Sequence, residues 1–316
     1  MNSAGGLFIY GKAMYLGIDF LVTPQLTPFV AEVNVGLPGG AQEYELTHQV
    51  FHGRPSGIFE KIERTSQEVY DKSFQDYLHS LPFIQSLKPF KIWMDGMGPF
   101  PSAFHPGLRL EDKWIQYQLI HPMIAMPETM IFDPLRLQET ERFLKEKGTI
   151  VLKRRLGRGG RGLQRMNDSR ALLTVNPDLK DCLLQEYVES TIDGFHFSIR
   201  SVAFGGQFMC MYANLSTRSA SNHGTLVFVS PGNSFGLAER NFGTESFNQK
   251  SWEAKLWFGE TEPPYLRHNL YEDVVAQTTL QIPATVLDVI REASIRIERF
   301  YEALDLFSLP KACFEE

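Results

Sequence analysis

Two stretches of alternating residues near the N-terminus constrain this chain more than any other feature. Met14 to Val22 and Pro28 to Val33 place apolar side chains at alternate positions, and Thr23, Pro24, Thr27 and Pro28 punctuate the join. A period of two marks a strand with one buried face, so the pair predicts a β-hairpin. Inside it, Gly17-Ile18-Asp19-Phe20 and Ala31-Glu32-Val33-Asn34 insert polar groups into apolar surroundings. Glu32 and Asn34 lie two residues apart and share one strand face, which Asp19 on the partner strand can join. A carboxylate next to Phe29-Val30-Ala31 is costly to bury unless it is paired or metal-bound. Two carboxylates and a carboxamide offer only oxygen, the donor set of Mg²⁺ where it also holds phosphate and water, whereas zinc would want histidine or cysteine. The plainer alternative is a solvated strand end.

A second segment carries complementary charge. Ile150-Val151-Leu152-Lys153 reads as a strand that delivers a lysine, and Arg154 to Gly162 follows with four glycines. Glycine lets the backbone approach phosphate and present successive N–H groups, so Lys153, Gly159, Gly160 and Gly162 are candidate phosphate contacts. No lysine-serine or lysine-threonine pair opens a helix here, so this is not a Walker A loop. A mobile surface loop is the competing reading, and Arg158 and Arg161 suit either. A third segment, Leu183-Leu184-Gln185-Glu186-Tyr187-Val188, is an apolar strand running into polar residues, with Asp193-Gly194-Phe195-His196 behind it. Such a strand can read an adenine edge through its main chain while an acid or imidazole holds the ribose. Asp193 and His196 are both candidates for that contact. An ordinary core strand is the alternative.

The remaining chain supplies a scaffold. Ile58, Ile62, Val69, Phe74 and Leu78 have helical spacing across residues 58 to 80, and Phe90 to Met94 is strand-like. Helices are expected over Leu110 to Leu119, before a turn at Met126-Pro127-Glu128-Thr129, and over Leu137 to Lys147, stopped by Gly148. Strands follow at Thr149 to Lys153, Cys182 to Val188, Phe197 to Phe204 and Gln207 to Leu215, the last two joined through Gly205-Gly206. Val286, Ile290, Ala293, Ile297, Phe300 and Leu304 mark an amphipathic C-terminal helix. Residues 230 to 283 show no clear pattern. The class is α+β with antiparallel sheets.

Charge and cysteine usage exclude several functions. A net charge of -6 does not suit a nucleic-acid footprint. Cys182, Cys210 and Cys313 have neither zinc nor disulfide spacing, which favours a reducing cytoplasm. Lys12 and Asp19 interrupt the apolar run from Leu7 to Val22, so neither a signal core nor a membrane span is expected.

Together these motifs resemble the ATP-grasp superfamily, and in detail its glutathione synthetase-like branch. Tyr15 to Asp19 with Glu32-Val33-Asn34-Val35 is similar to the family's magnesium-binding segments, Gln185 to Val188 to its adenine hinge, and Leu215-Ser216-Thr217-Arg218 with Asn222 to its substrate segment. Lys113, Pro127-Glu128-Thr129 and Lys153 resemble the lysine, the PxT element and the second lysine that precede the hinge. The metal segment ordinarily follows the hinge, whereas here it comes first, so the resemblance implies a circular permutation. Surface termini that lie close together make such rejoining tolerable. The alternative places a truncated metal segment at Asp305, Glu315 and Glu316.

The resemblance implies an ATP-grasp fold, two α+β lobes with antiparallel sheets sandwiching ATP, plus a small additional α/β region. Residues 1–56 would be the permuted metal-binding segment and 57–122 a short pre-ATP-grasp region. Residues 123–188 would form the small lobe and 189–316 the large lobe, completed by 1–56. The implied activity is an ADP-forming carboxylate–amine ligase using ATP and Mg²⁺, with Mn²⁺ as an acceptable substitute, on an amino acid, peptide or other small carboxylate. Lys113 would join Lys153 on the nucleotide, and Arg218, Arg200 and Asn222 would serve catalysis. Asp19, Glu32 and Asn34 would hold the metal. Partners would be the small-molecule carboxylate and amine, with room for a homodimer and with no membrane or nucleic acid. An inactive nucleotide-binding regulatory or assembly module and a phosphotransferase on the same scaffold are the alternatives.

Overall fold

The structure, a computed structural model, describes residues 15–35, 40–41, 44–45, 48, 54–69, 110–156, 163–168, 181–192, 195–216, 225–228, 234–235 and 280–304. Its strands begin with β1 Leu16–Val22, β2 Pro28–Asn34, β3 Thr129–Ile131, β4 Ile150–Arg154, β5 Gln164–Met166 and β6 Cys182–Glu186. They continue with β7 Thr191–Ile192, β8 Phe195–Phe204, β9 Gln207–Ser216 and β10 Thr225–Phe228, and end with the separate short pair β11 Ser234–Phe235 and β12 Leu280–Gln281. The described helices here named are α1 Ile58–Val69, α2 Lys113–Ile120, α3 Leu137–Lys147 and α4 Ala284–Ala303. The predicted Phe74 and Leu78 positions, the Phe90 to Met94 strand and most of residues 230 to 283 lie outside the described residues.

Two antiparallel sheets organise this α+β structure. The large one runs β10-β9-β8-β1-β2 with β7 added beside β8, and the small one runs β3-β6-β4-β5. Each has its own core. Leu16, Ile18 and Phe20 of β1 and Ile199 of β8 pack with Leu287, Ile290 and Ile297 of α4. Ile150, Leu152 and Leu184 of the small sheet pack with Leu144 of α3. The residues that build these elements follow local rules. Gly148 takes φ +73°, and its N–H donates to Leu144 O at 2.7 Å, closing α3 as expected. Gly205 and Gly206 take φ +59° and +70° in the predicted turn between β8 and β9. The α4 stripe is buried at Val286, Ile290 and Ile297, but it also includes Ser294 and Glu298, which the apolar pattern did not mark. Ser294 bonds Ser201 at 2.7 Å, and Glu298 accepts the Gly206 N–H at 2.7 Å.

The structure changes three boundaries. The helix expected from Leu110 starts at Lys113, because Asp112 is extended and its carboxylate accepts the Trp114 N–H at 2.8 Å as an N-cap. The turn expected at Met126 to Thr129 runs into an edge strand, since Thr129 to Ile131 pair with Gln185 to Leu183. Three residues are too few to show a period. The strand expected through Val188 ends at Glu186.

One irregularity shapes the hairpin. Asp19 pairs with Glu32 but Phe20 pairs with Val30, so Ala31 is an extra residue, a β-bulge. Val30, Val33 and Val35 therefore all face the core, although 30 and 33 differ in parity. The bulge moves Glu32 and Asn34 to the opposite face, because a one-residue slip exchanges the faces of a strand. Among the described residues, no helix is long and apolar enough to cross a membrane.

Candidate functional site

The site face of the large sheet begins as a row across four strands. Glu32 pairs with Asp19, Asp19 with Arg200, and Arg200 with Tyr212. Residues paired across strands project to the same face, so β1, β2 and β8 aim two carboxylates and a guanidinium at one another. Arg200 grips Asp19 at two points: Nε donates to Oδ1, and Nη2 donates to Oδ2 at 2.8 Å. Asn34 Nδ2 donates to Asp19 Oδ2 at 3.1 Å and to Gly17 O at 3.2 Å. The predicted ligands Asp19, Glu32 and Asn34 thus lie together, with the predicted catalytic Arg200 among them.

Two lysines approach this row from other elements. Lys113, at the start of α2, holds its Nζ 3.4 Å from Glu32 Oε2. Lys153, near the end of β4, comes from the small sheet. Its Nζ donates to Gln185 Oε1 at 2.7 Å and, more loosely, to the bulge carbonyl of Ala31 at 3.5 Å. Gln185 is turned for this contact, since its Nε2 donates to Thr129 Oγ1 at 2.9 Å and Thr129 donates onward to Pro127 O at 2.9 Å. A purely apolar strand would not supply this relay. It places the side chain of Gln185, expected only as part of a main-chain hinge, on Lys153.

The charges respond to these surroundings. Burial works against an ionised Glu32, but Lys113, Lys153 and Arg200 outweigh it and hold its pKa below the ordinary 4.5. Burial raises Asp19 above its ordinary 3.8 even though Arg200 opposes it. For Lys153, burial dominates and lowers the pKa to about 8, with Glu32 opposing and Lys113 assisting. Among the described residues, the side chains of Lys113, Lys153 and Arg200 thus stand beside the carboxylates of Asp19 and Glu32.

The other predicted positions are distributed as follows. Glu186 N–H donates to Glu128 O at 2.8 Å, and its carboxylate accepts the Glu128 N–H at 3.2 Å, which ties the hinge to β3. Tyr187 lies under Arg165, whose guanidinium carbon is 4.0 Å from the ring centroid, and its N–H donates to Thr149 O at 3.1 Å. Val188 is half-buried just beyond β6. His196 stands apart from the row, with Nδ1 4.0 Å from Glu189 Oε1. Arg218, Asn222, Gly159, Gly160, Gly162 and Asp193 lie outside the described residues, as do Asp305, Glu315, Glu316 and Cys313.

Sequence reasoning missed several residues that assemble this site. Arg155 pairs with Asp112 through Nη2 at 2.7 Å and Nε at 3.0 Å, and Lys113 N–H donates to Arg155 O at 3.1 Å. Asp112 could have been found, since aspartate before a helical run signals an N-cap. Gln116, whose carboxamide bonds the main chain of Val33, carried no such signal.

The oxygen acceptors of Asp19, Glu32 and Asn34 are of the type that Mg²⁺ takes. Among the described residues, no three His, Cys, Asp or Glu side chains gather into a metal cluster. A cation held by Asp19, Glu32 and Asn34 would have two carboxylates and a carboxamide as its protein ligands. No family model matches the chain, and no curated protein matches it in sequence.

Proposed function

We propose that this chain is an ATP- and Mg²⁺-dependent carboxylate–amine ligase, built as a circularly permuted ATP-grasp fold in which 1–56 completes the lobe formed by 189–316. The observation that carries the reading is the convergence of the hairpin with Lys153. The ammonium reaches Ala31 O at 3.5 Å across 122 positions of sequence, bringing a phosphate-type cation beside an oxygen donor set. Neither feature alone specifies a nucleotide. Their meeting between two sheets does support one.

In this reading Lys153 and Lys113 hold the phosphates, and Gln185 to Val188 face the base. Asp19, Glu32 and Asn34 would hold Mg²⁺, which when bound neutralises phosphate charge. A substrate carboxylate oxygen attacks the γ-phosphorus, its bond to the bridging oxygen breaks, and ADP departs. The amine then attacks the acyl carbon, loses a proton and expels inorganic phosphate. Arg200 is the described cation nearest this chemistry, and Arg218 and Asn222 are its proposed companions. Phosphoryl transfer depends mostly on position and charge neutralisation, which these groups can supply.

A second reading, a catalytically silent nucleotide-binding module, is favoured by one observation: Arg200 and Asn34 engage both oxygens of Asp19. The two are separated by screening amino acids, dipeptides and small acids for ADP formation with mass detection of a condensed product. ADP release requiring both a carboxylate and an amine is expected, and nucleotide binding without turnover selects the silent module. Glu32→Gln should lower turnover by roughly 10²–10³-fold while leaving the fold intact. Undiminished turnover in that variant removes the metal assignment.

A further inference from the structure

The outer edge of β2 is closed by other parts of the chain. Val30 N–H donates to Ala125 O at 2.9 Å, and Val35 N–H donates to Glu111 Oε1 at 2.7 Å. Between them Val33 has both of its main-chain groups taken by one side chain. Its N–H donates to Gln116 Oε1 at 3.0 Å, and its carbonyl accepts from Gln116 Nε2. The same Nε2 donates to Leu110 O at 2.7 Å, so both amide hydrogens are committed. Gln116 is 2% exposed, and a buried carboxamide with every donor used has none left for a ligand.

Its position explains what this arrangement does. Val33 lies between Glu32 and Asn34, and Gln116 lies three residues after Lys113 on α2, where i and i+3 are neighbours on the helix surface. One helical turn therefore grips the strand peptide and delivers an ammonium to the adjoining carboxylate. The start of the same helix is fastened to the small sheet through Asp112 and Arg155, whose Nη2–Oδ2 separation is 2.7 Å. Helix α2 is thus a strut fixed at both sheets, with Lys113 between its two attachments.

We propose that Gln116 is a positioning residue that locks β2 to α2 and thereby sets the Lys113–Glu32 contact. Its importance for phosphoryl transfer rests on the ligase reading, but the geometric claim does not.

The test is amine labelling of the intact chain with a lysine-reactive reagent, read residue by residue. Lys113 is compared with Lys145, exposed on α3, and with Lys61, whose Nζ donates to Met209 O at 3.3 Å at the far end of the large sheet. In folded Gln116→Met, Lys113 labelling should rise roughly threefold, as for release from a modest ion pair, while Lys145 and Lys61 stay unchanged. Unchanged Lys113, or Lys113 and Lys61 rising together, overturns the proposal. If that variant does not fold, amide exchange in the unaltered chain decides. Val33 N–H should be protected like Ile18 N–H inside the sheet, and exchange at the rate of an open edge refutes the lock. Protection of Lys153 from labelling by ATP with Mg²⁺ tests the nucleotide reading separately, so either idea can fail alone.

Discussion

The two sheets bring unlike electrostatics to the place where they meet. On the large sheet each carboxylate has a cation in contact: Asp19 has Arg200 at 2.8 Å, and Glu32 has Lys113 at 3.4 Å. On the small sheet Lys153 has two neutral acceptors, Gln185 Oε1 and Ala31 O, and among the described residues no carboxylate within ion-pair distance. The first arrangement is complete without a ligand and must exchange partners to admit one. The second is short of negative charge. In the proposed reading a nucleotide would use both properties, the anionic base for its metal and the buried cation for its phosphates.

The largest expected effect comes from breaking the complete side. Arg200→Met leaves Asp19 partly buried without its guanidinium, and removing one partner of such a pair typically costs about 3 kcal/mol. Thermal or urea unfolding should show a clear loss. An unchanged midpoint would mean that the Asp19 charge is satisfied elsewhere or neutralised. Lys153→Met should act with the opposite sign. It removes a buried ammonium held only by neutral acceptors, so the fold should gain on the order of 1 kcal/mol while nucleotide affinity collapses. Calorimetric titration with ATP and Mg²⁺ read beside the melting curve checks both halves. A variant that is less stable and still binds nucleotide contradicts the proposed role of Lys153.

This contrast was only half legible in the sequence. Local rules carried the parts governed by neighbours: Gly148 at the end of α3, the α4 stripe, and the sharing of a face by Glu32 and Asn34. The bulge at Ala31 was not readable, because Phe29-Val30-Ala31 is simply apolar and the extra residue is defined by its register against β1. Nor was the Arg200–Asp19 pair, formed across 181 positions. Gln116 was missed for a related reason: its partners are main-chain groups, and any residue but proline at position 33 would present them. Side chains that bond distant backbone leave little compositional signal.

The smallest effect is also the most diagnostic, because pH separates the two sides. The unfolded Lys153 titrates near 10.5 and the folded one near 8. Between these values the unfolded chain binds more protons, so stability rises with pH across that window, and below about 8 the full penalty for burying the ammonium is present. Glu32 responds at the other end. Its depressed pKa contributes stability that is present above 4.5 and lost as pH falls through the lower folded value. Unfolding measured from pH 7.5 to 10.5 should therefore show an upward contribution in the unaltered chain that Lys153→Met removes. ATP should flatten it by keeping the ammonium protonated, with affinity falling as pH passes 8. An identical alkaline profile in the chain and its Lys153→Met variant would show that Lys153 carries no charge deficit, and the contrast between the sheets would not hold.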